Sequence, residues 1–244
     1  MNFQRYFQEK ENLKMKNKFY FICILFLTSI CLFGQSDKDS LIVNINAKWN
    51  KNPFKLNTSY ISKNTDTLKV TQFKFYVSDF QVVFDDESTL TDHKSHLIDF
   101  EKPNSTIFPI CKNYKKKIIG INFYIGVDSL ASVSGALSGD LDPSNGMYWA
   151  WQSGYINMKI EGTSSSCQTR KNTFNFHIGG YLQPYYALRK IELPMNNLQK
   201  QINLTLDLEK FFSEINLKET NSVMIPGAKA MELATLSSKI FYTE

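Results

Sequence analysis

The side chains of this 244-residue sequence that could bind a metal or carry redox chemistry are few: three histidines, four cysteines and a dense run of aromatics. His177 lies in FNFHIGG, where alternation along a strand puts Phe174, Phe176 and Ile178 on one face and Asn175, His177 and Gly179 on the other. The phenylalanines claim the core, so the imidazole points away from it. A lone strand histidine of this kind is more often a surface or hydrogen-bonded structural residue than a ligand. His93 and His96 fall in TDHKSH, read as a polar connection into the strand Leu97–Phe100. Their i, i+3 spacing can bring two imidazoles near one ion, although exposed loop histidines are the plainer reading. His96 is the better candidate because it borders the strand.

The aromatic run is GDLDPSNGMYWAWQSGYINMKIEG, Gly139 to Gly162. Asp140, Asp142, Pro143, Asn145 and Gly146 read as turn formers, with a strand following at once. On that strand Met147, Trp149 and Trp151 share a face, and the apolar parity switches at Ser153-Gly154, the mark expected of a bulge. An intact indole is a poor ligand, since its nitrogen is a donor only. Paired strand tryptophans usually serve packing, each burying on the order of 200 Å². No GxSxG elbow, P-loop, HExxH or paired CxxC occurs, so no enzyme class is indicated.

The elements that must position these residues read as short strands between polar turns. Candidates are Leu41–Asn46, Thr67–Val70, Phe73–Phe84, His96–Phe100, Ile118–Ile125, Met147–Gln152, Tyr155–Glu161, Thr173–Ile178, Leu188–Leu193 and Ile202–Leu208. The absence of a helical period between them predicts an all-β fold, a single β-sandwich or closed barrel-like domain. A C-terminal helix is expected over Gly227–Phe241, and a helical turn over Leu208–Ile215. Phe174, Phe176, Ile156, Met158, Ile160, Ile121 and Phe123 are expected in one core.

Composition, 43% hydrophobic and 21% charged, suits a globular domain. Lys14, Lys16 and Lys18 precede the apolar run Phe19–Phe33, which ends in Gly34-Gln35-Ser36: a secretory leader over residues 1–34, with Met15 as its start and a mature domain over 35–244. The run is too short for a transmembrane helix, which needs about 20 apolar residues. The expected location is periplasmic, extracellular or at the cell surface, and not integral to a membrane. Removing five basic and two acidic residues with the leader leaves 23 basic against 21 acidic, a net charge of +2. No nucleic-acid partner is implied, and the broken run Lys112 to Lys117 reads as a solvated turn. Cys23 and Cys31 leave with the leader. Cys111 and Cys167 remain as a possible disulfide in an oxidising compartment, with free thiols equally open.

The aromatic segment resembles the signature of the MbnP-like family of extracytoplasmic bacterial proteins, which includes copper proteins of the CorA type. The likeness extends, in the family's order, to TQFKFYVSDFQVVF (Thr71–Phe84), SHLIDF (Ser95–Phe100), INFYIGVDS (Ile121–Ser129) and FNFHIGG (Phe174–Gly180). The resemblance implies a copper site built from histidine and a tryptophan oxidised to kynurenine, with a di-haem, peroxidase-like protein as the modifying partner. On that basis His177, in the family's HxG motif, and His96 become candidate metal ligands, and Trp149 and Trp151 candidates for oxidation. One departure stands out: the family's Asn-His pair after the Gly-Val segment is missing from Gly126–Val133. His96, Met147 and Asp142 are the residues considered for its place. A metal-free module that binds through Trp149, Trp151 and Tyr155 is the rival reading.

Overall fold

The computed structural model describes residues 40–112, 116–197 and 201–243. The leader expected over residues 1–34, and the middle of the Lys112 to Lys117 run, lie outside the described residues. In chain order the first strands are β1 (Ser40–Trp49), β2 (Asn52–Pro53), β3 (Ser59–Ile61), β4 (Thr67–Phe84), β5 (Thr89–Asp99), β6 (Ile107–Lys112) and β7 (Ile118–Ile125). A short helix α1 (Ser129–Val133) precedes β8 (Tyr148–Trp149), β9 (Gly154–Ser164), β10 (Thr173–Gly179), β11 (Arg189–Asn197) and β12 (Gln201–Asp207). The tail comprises α2 (Leu208–Ser213), β13 (Ser222–Val223), α3 (Ala228–Ser238) and β14 (Phe241–Thr243).

The described strands form two sheets, and the fold is a β-sandwich with a C-terminal helix. The smaller sheet runs β14-β12-β1-β2, with β6 also on β1; the larger runs β11-β7-β4-β9-β10-β13, with β3 and β5 on β4 and β8 on β9. Rings from the two sheets meet between them. Phe241 of β14 stands edge-on to Phe75 and Phe123, with centroids 5.7 and 5.6 Å away, and Phe108 of β6 meets Phe80 at 5.8 Å. Such pairs contribute about 0.5–1.5 kcal/mol each beyond their buried area. The expected helix ends early, at Ser238, because Phe241 pairs with Leu206 and extends the smaller sheet.

Strand β4 is the hub, and two irregularities let one chain serve both ends of it. Where a break is predicted at Thr71-Gln72, the strand continues through a bulge between Val70 and Gln72. A second lies between Ser78 and Phe80, where Asp79 adopts φ 46°. Each inserts a residue and resets the side-chain parity. Leu68 and Val70, then Phe73, Phe75 and Val77, then Phe80, Val82 and Phe84 thereby all face the core.

On the outer face of the larger sheet, turned away from the smaller one, the connection from Gly126 to Trp149 folds back and creates a second core. Its buried members are Tyr76, Leu97, Val127, Met147, Trp149, Tyr155 and Ile156. Hydrogen bonds pin it down: Tyr76 Oη donates to Asp140 O (3.0 Å), Leu97 N donates to Asp140 Oδ2 (3.0 Å), and Tyr155 Oη donates to Leu141 O (2.9 Å). Burial raises both tyrosine pKa values, which keeps the hydroxyls protonated as donors. Asp140 is therefore more than the turn former expected of it. Ile156 is buried as expected, but in this second core rather than with Phe174 and Phe176. The register shift between Ile178 and Gly179, opposite Met158 and Ile156, marks the change.

Candidate metal centre

His177 sits where alternation predicts, on the outer face of β10. Register places it in a row across the sheet: His177 opposite Lys159, Lys159 opposite Lys74, and Lys74 opposite Asp99. The row is polar and largely buried, with His177 and Lys74 each 8% exposed and Asp99 fully enclosed. Lys74 Nζ lies 3.0 Å from Asp99 Oδ2 and 3.2 Å from Glu101 Oε2. Burial works against its charge, but these carboxylates outweigh it and hold the pKa above its ordinary value.

The imidazole of His177 is held by Glu161, whose Oε1 is 2.7 Å from Nε2 and 3.4 Å from Lys159 Nζ. The hydrogen bond from His177, aided by Lys159 against the effect of burial, keeps the Glu161 carboxyl below the usual range. An ionised Glu161 is an acceptor for a proton on Nε2, and in the neutral tautomer with that proton the lone pair is on Nδ1. No hydrogen-bond partner meets Nδ1 among the described residues. This carboxylate–histidine pair has the form that orients metal-binding imidazoles.

Trp149 reaches the same face. A Cβ built on Gly179, two residues along β10 from His177, would lie 2.8 Å from Trp149 Cη2 and Cζ3 and 2.7 Å from Tyr155 O. The benzo edge of the indole thus packs against Gly179, two residues along β10 from His177, where a Cβ would clash. Trp151 is placed differently from expectation. The strand ends at Trp149, because Tyr148 pairs with Tyr155 and Trp149 with Gly154 across a turn over residues 150–153. The predicted bulge is this hairpin turn, with Ser153 at φ 52°, and the parity switch is the chain reversing. Met147 and Trp149 are buried at 0% and 6%, whereas Trp151 is 63% exposed, its ring 6.1 Å from that of Trp149.

His96 does not join His177. It lies within strand β5, not in a connection, and pairs with Val77, a core residue. Its ring stacks on Phe108 at 4.0 Å and its Nε2 is 2.8 Å from Asp92 Oδ2. The two histidines face opposite sides of one sheet, so no single ion can meet both. His93, also on β5, is exposed and bonded to Asp79 Oδ1 at 2.9 Å. The other residues considered are occupied: Met147 is sealed in the second core, and Asp142 Oδ1 accepts Ser144 N at 2.8 Å in a turn. The segment lacking the Asn-His pair forms α1 instead, capped by Asp128, whose Oδ1 accepts Ala131 N at 2.7 Å. Cys111 and Cys167 are both free thiols, against the disulfide considered for them. One lies on β6 of the smaller sheet and the other in the connection after β9, and burial raises both pKa values.

Among the described residues no group of three histidine, cysteine or carboxylate side chains could hold a metal. His177, oriented by Glu161, is thus a single imidazole donor that no other described histidine, cysteine or carboxylate completes into a set of three. Sequence comparison adds the family. The family model described as MbnP matches residues 38–225.

The chain belongs to the MbnP family.

The solved structure of MbnP from Methylosinus trichosporium superposes with a TM-score of 0.56 over 78% of this chain and 82% of that one. At 14% identity the likeness establishes the shared sandwich and nothing finer. No curated protein matches the sequence. His177 and Trp149, 28 residues apart in sequence, are set on one face by the fold. Among the described residues no helix is long and apolar enough to cross a membrane.

Proposed function

We propose that this protein binds copper outside the cytoplasm, at a site on the outer face of the larger sheet centred on His177 and Trp149. One observation carries the reading: the indole of Trp149 lies over Gly179, next to an imidazole whose Nε2 is engaged by Glu161 and whose Nδ1 is open. Imidazole is a suitable copper donor. The indole becomes one only if its five-membered ring is opened to kynurenine, which frees an aryl amine on the ring that faces Gly179. A di-haem, peroxidase-like partner in the exported compartment is the proposed catalyst, with two equivalents of hydrogen peroxide as the oxidant: the indole C2–C3 bond breaks as two oxygen atoms are gained, and hydrolysis of the resulting formyl group releases that carbon as formate. Trp151, exposed beside Trp149 at the tip of the hairpin, is the surface such a partner meets first.

Copper content of the protein purified from the exported compartment of its native host tests the reading, together with intact mass for gain of oxygen and loss of carbon. Copper near one equivalent is expected, lost in His177→Ala and retained in His96→Gln because His96 faces the other way. Full copper retention in His177→Ala would sink the assignment. Absence of copper from the wild type would favour the metal-free module, for which the exposed Trp151 is the supporting feature.

A further inference from the structure

His177 has a neighbour on each side. Lys159 faces it from β9, while on the other side lies β13, parallel to β10, with Asn175 opposite Ser222 and Phe176 opposite Val223. The ladder ends at Phe176 and Val223; carried one residue further in the same register, it would bring Met224 beside His177. The two segments remain side by side beyond that point, since a Cβ on Gly180 would be 3.2 Å from Pro226 Cβ. Val223 is buried in the main core, so alternation gives Met224 the face of Ser222, Asn175 and His177. Met224 is 44% exposed, so its side chain is not locked into either core. Neighbouring strands are about 5 Å apart, which brings a flexible thioether within reach of the imidazole beside it.

The geometry points to Met224 as a soft donor of the His177 site. This inference rests on the copper reading and specifies its ligand set. Imidazole Nδ1 and thioether sulfur come from adjacent strands, and Trp149 closes the third side over Gly179. Methionines of the two cores do not compete, because Met147 and Met158 are both fully buried. A thioether is a soft ligand that favours Cu(I) over Cu(II). Met224 therefore gives the site a preference for the reduced ion, and supplies the donor that the Gly126–Val133 segment does not.

The test uses the full exported chain and copper ions alone. Cu(I) affinity is measured by competition with a chromophoric Cu(I) chelator, and Cu(II) affinity by competition with glycine. Wild type, Met224→Leu and His177→Gln are compared, with thermal unfolding to confirm that each is folded. Loss of a ligand should weaken binding at least as much as loss of a supporting residue, so Met224→Leu is expected to lower Cu(I) affinity by about tenfold or more. Cu(II) affinity should change far less. X-ray absorption of the Cu(I) form should show one sulfur neighbour in wild type and none in Met224→Leu. Equal Cu(I) affinity in Met224→Leu, or no sulfur neighbour in wild type, overturns the assignment of Met224. If His177→Gln also leaves Cu(I) affinity unchanged, the copper site itself is wrong; if it alone weakens binding, only the role of Met224 fails.

Discussion

Replacing Gly179 by alanine tests the contact on which the candidate site depends. The new methyl carbon would lie 2.7 Å from Tyr155 O and 2.8 Å from two carbons of the Trp149 ring. Carbon contacts are comfortable only at about 3.5–4 Å, so the indole must withdraw by the better part of an ångström. It has nowhere to go, because Met147 and Tyr155 fill the second core behind it, and the backbone carbonyl cannot yield cheaply. Overpacking of this kind costs about 1–3 kcal/mol. Alanine recovers about 0.5–1 kcal/mol of the conformational entropy that a strand glycine loses, so the clash wins. The net loss should lower the urea midpoint by roughly 0.5 M, taking a slope of about 2–3 kcal/mol/M. Tryptophan emission of the folded protein, read in a Trp151→Phe background where the buried Trp49 is the only other indole, should shift to the red as Trp149 is displaced. An unchanged midpoint with unshifted emission would mean that Trp149 does not rest on Gly179, and its link to His177 would fall with it.

Two further outcomes follow from the polar row. Lys74→Met leaves Asp99 fully enclosed without its strongest partner, a change that should cost about 3–5 kcal/mol in denaturant unfolding; a loss under about 1 kcal/mol would contradict the pairing. Glu161 has its pKa depressed in the folded state, so its contribution is present above the unfolded carboxyl pKa of about 4.3 and is lost as pH falls through the lower, folded value. Thermal midpoints measured from pH 7 to pH 3 should therefore drop less steeply in Glu161→Gln than in wild type, and parallel profiles would refute the His177–Glu161 interaction.

Much of this protein was determined locally, because a strand's side-chain alternation is written directly in the sequence. FNFHIGG fixed which side of β10 the phenylalanines and His177 take, and the alternation of Ile202, Leu204 and Leu206 fixed the buried face of β12. Composition and the lack of helical period gave the sandwich, and the motif order gave the family. Local rules failed where geometry depends on a distant segment. Met147, Trp149 and Trp151 share a parity on paper, but a reversal after Trp149 sends Trp151 into solvent, and that reversal is set by pairing with Tyr155. His93 and His96 read as a polar loop because the sequence does not show that Thr89–Asp99 pairs along β4. Only that register reveals His96 on the core face, the opposite side of the sheet from His177. The seating of Trp149 against Gly179 joins residues thirty positions apart, and Ser222 and Val223 come beside Asn175 and Phe176 through a two-residue parallel pairing that no local pattern announces. Alternation tells a side chain which way to face; only the packed sheet decides what it faces.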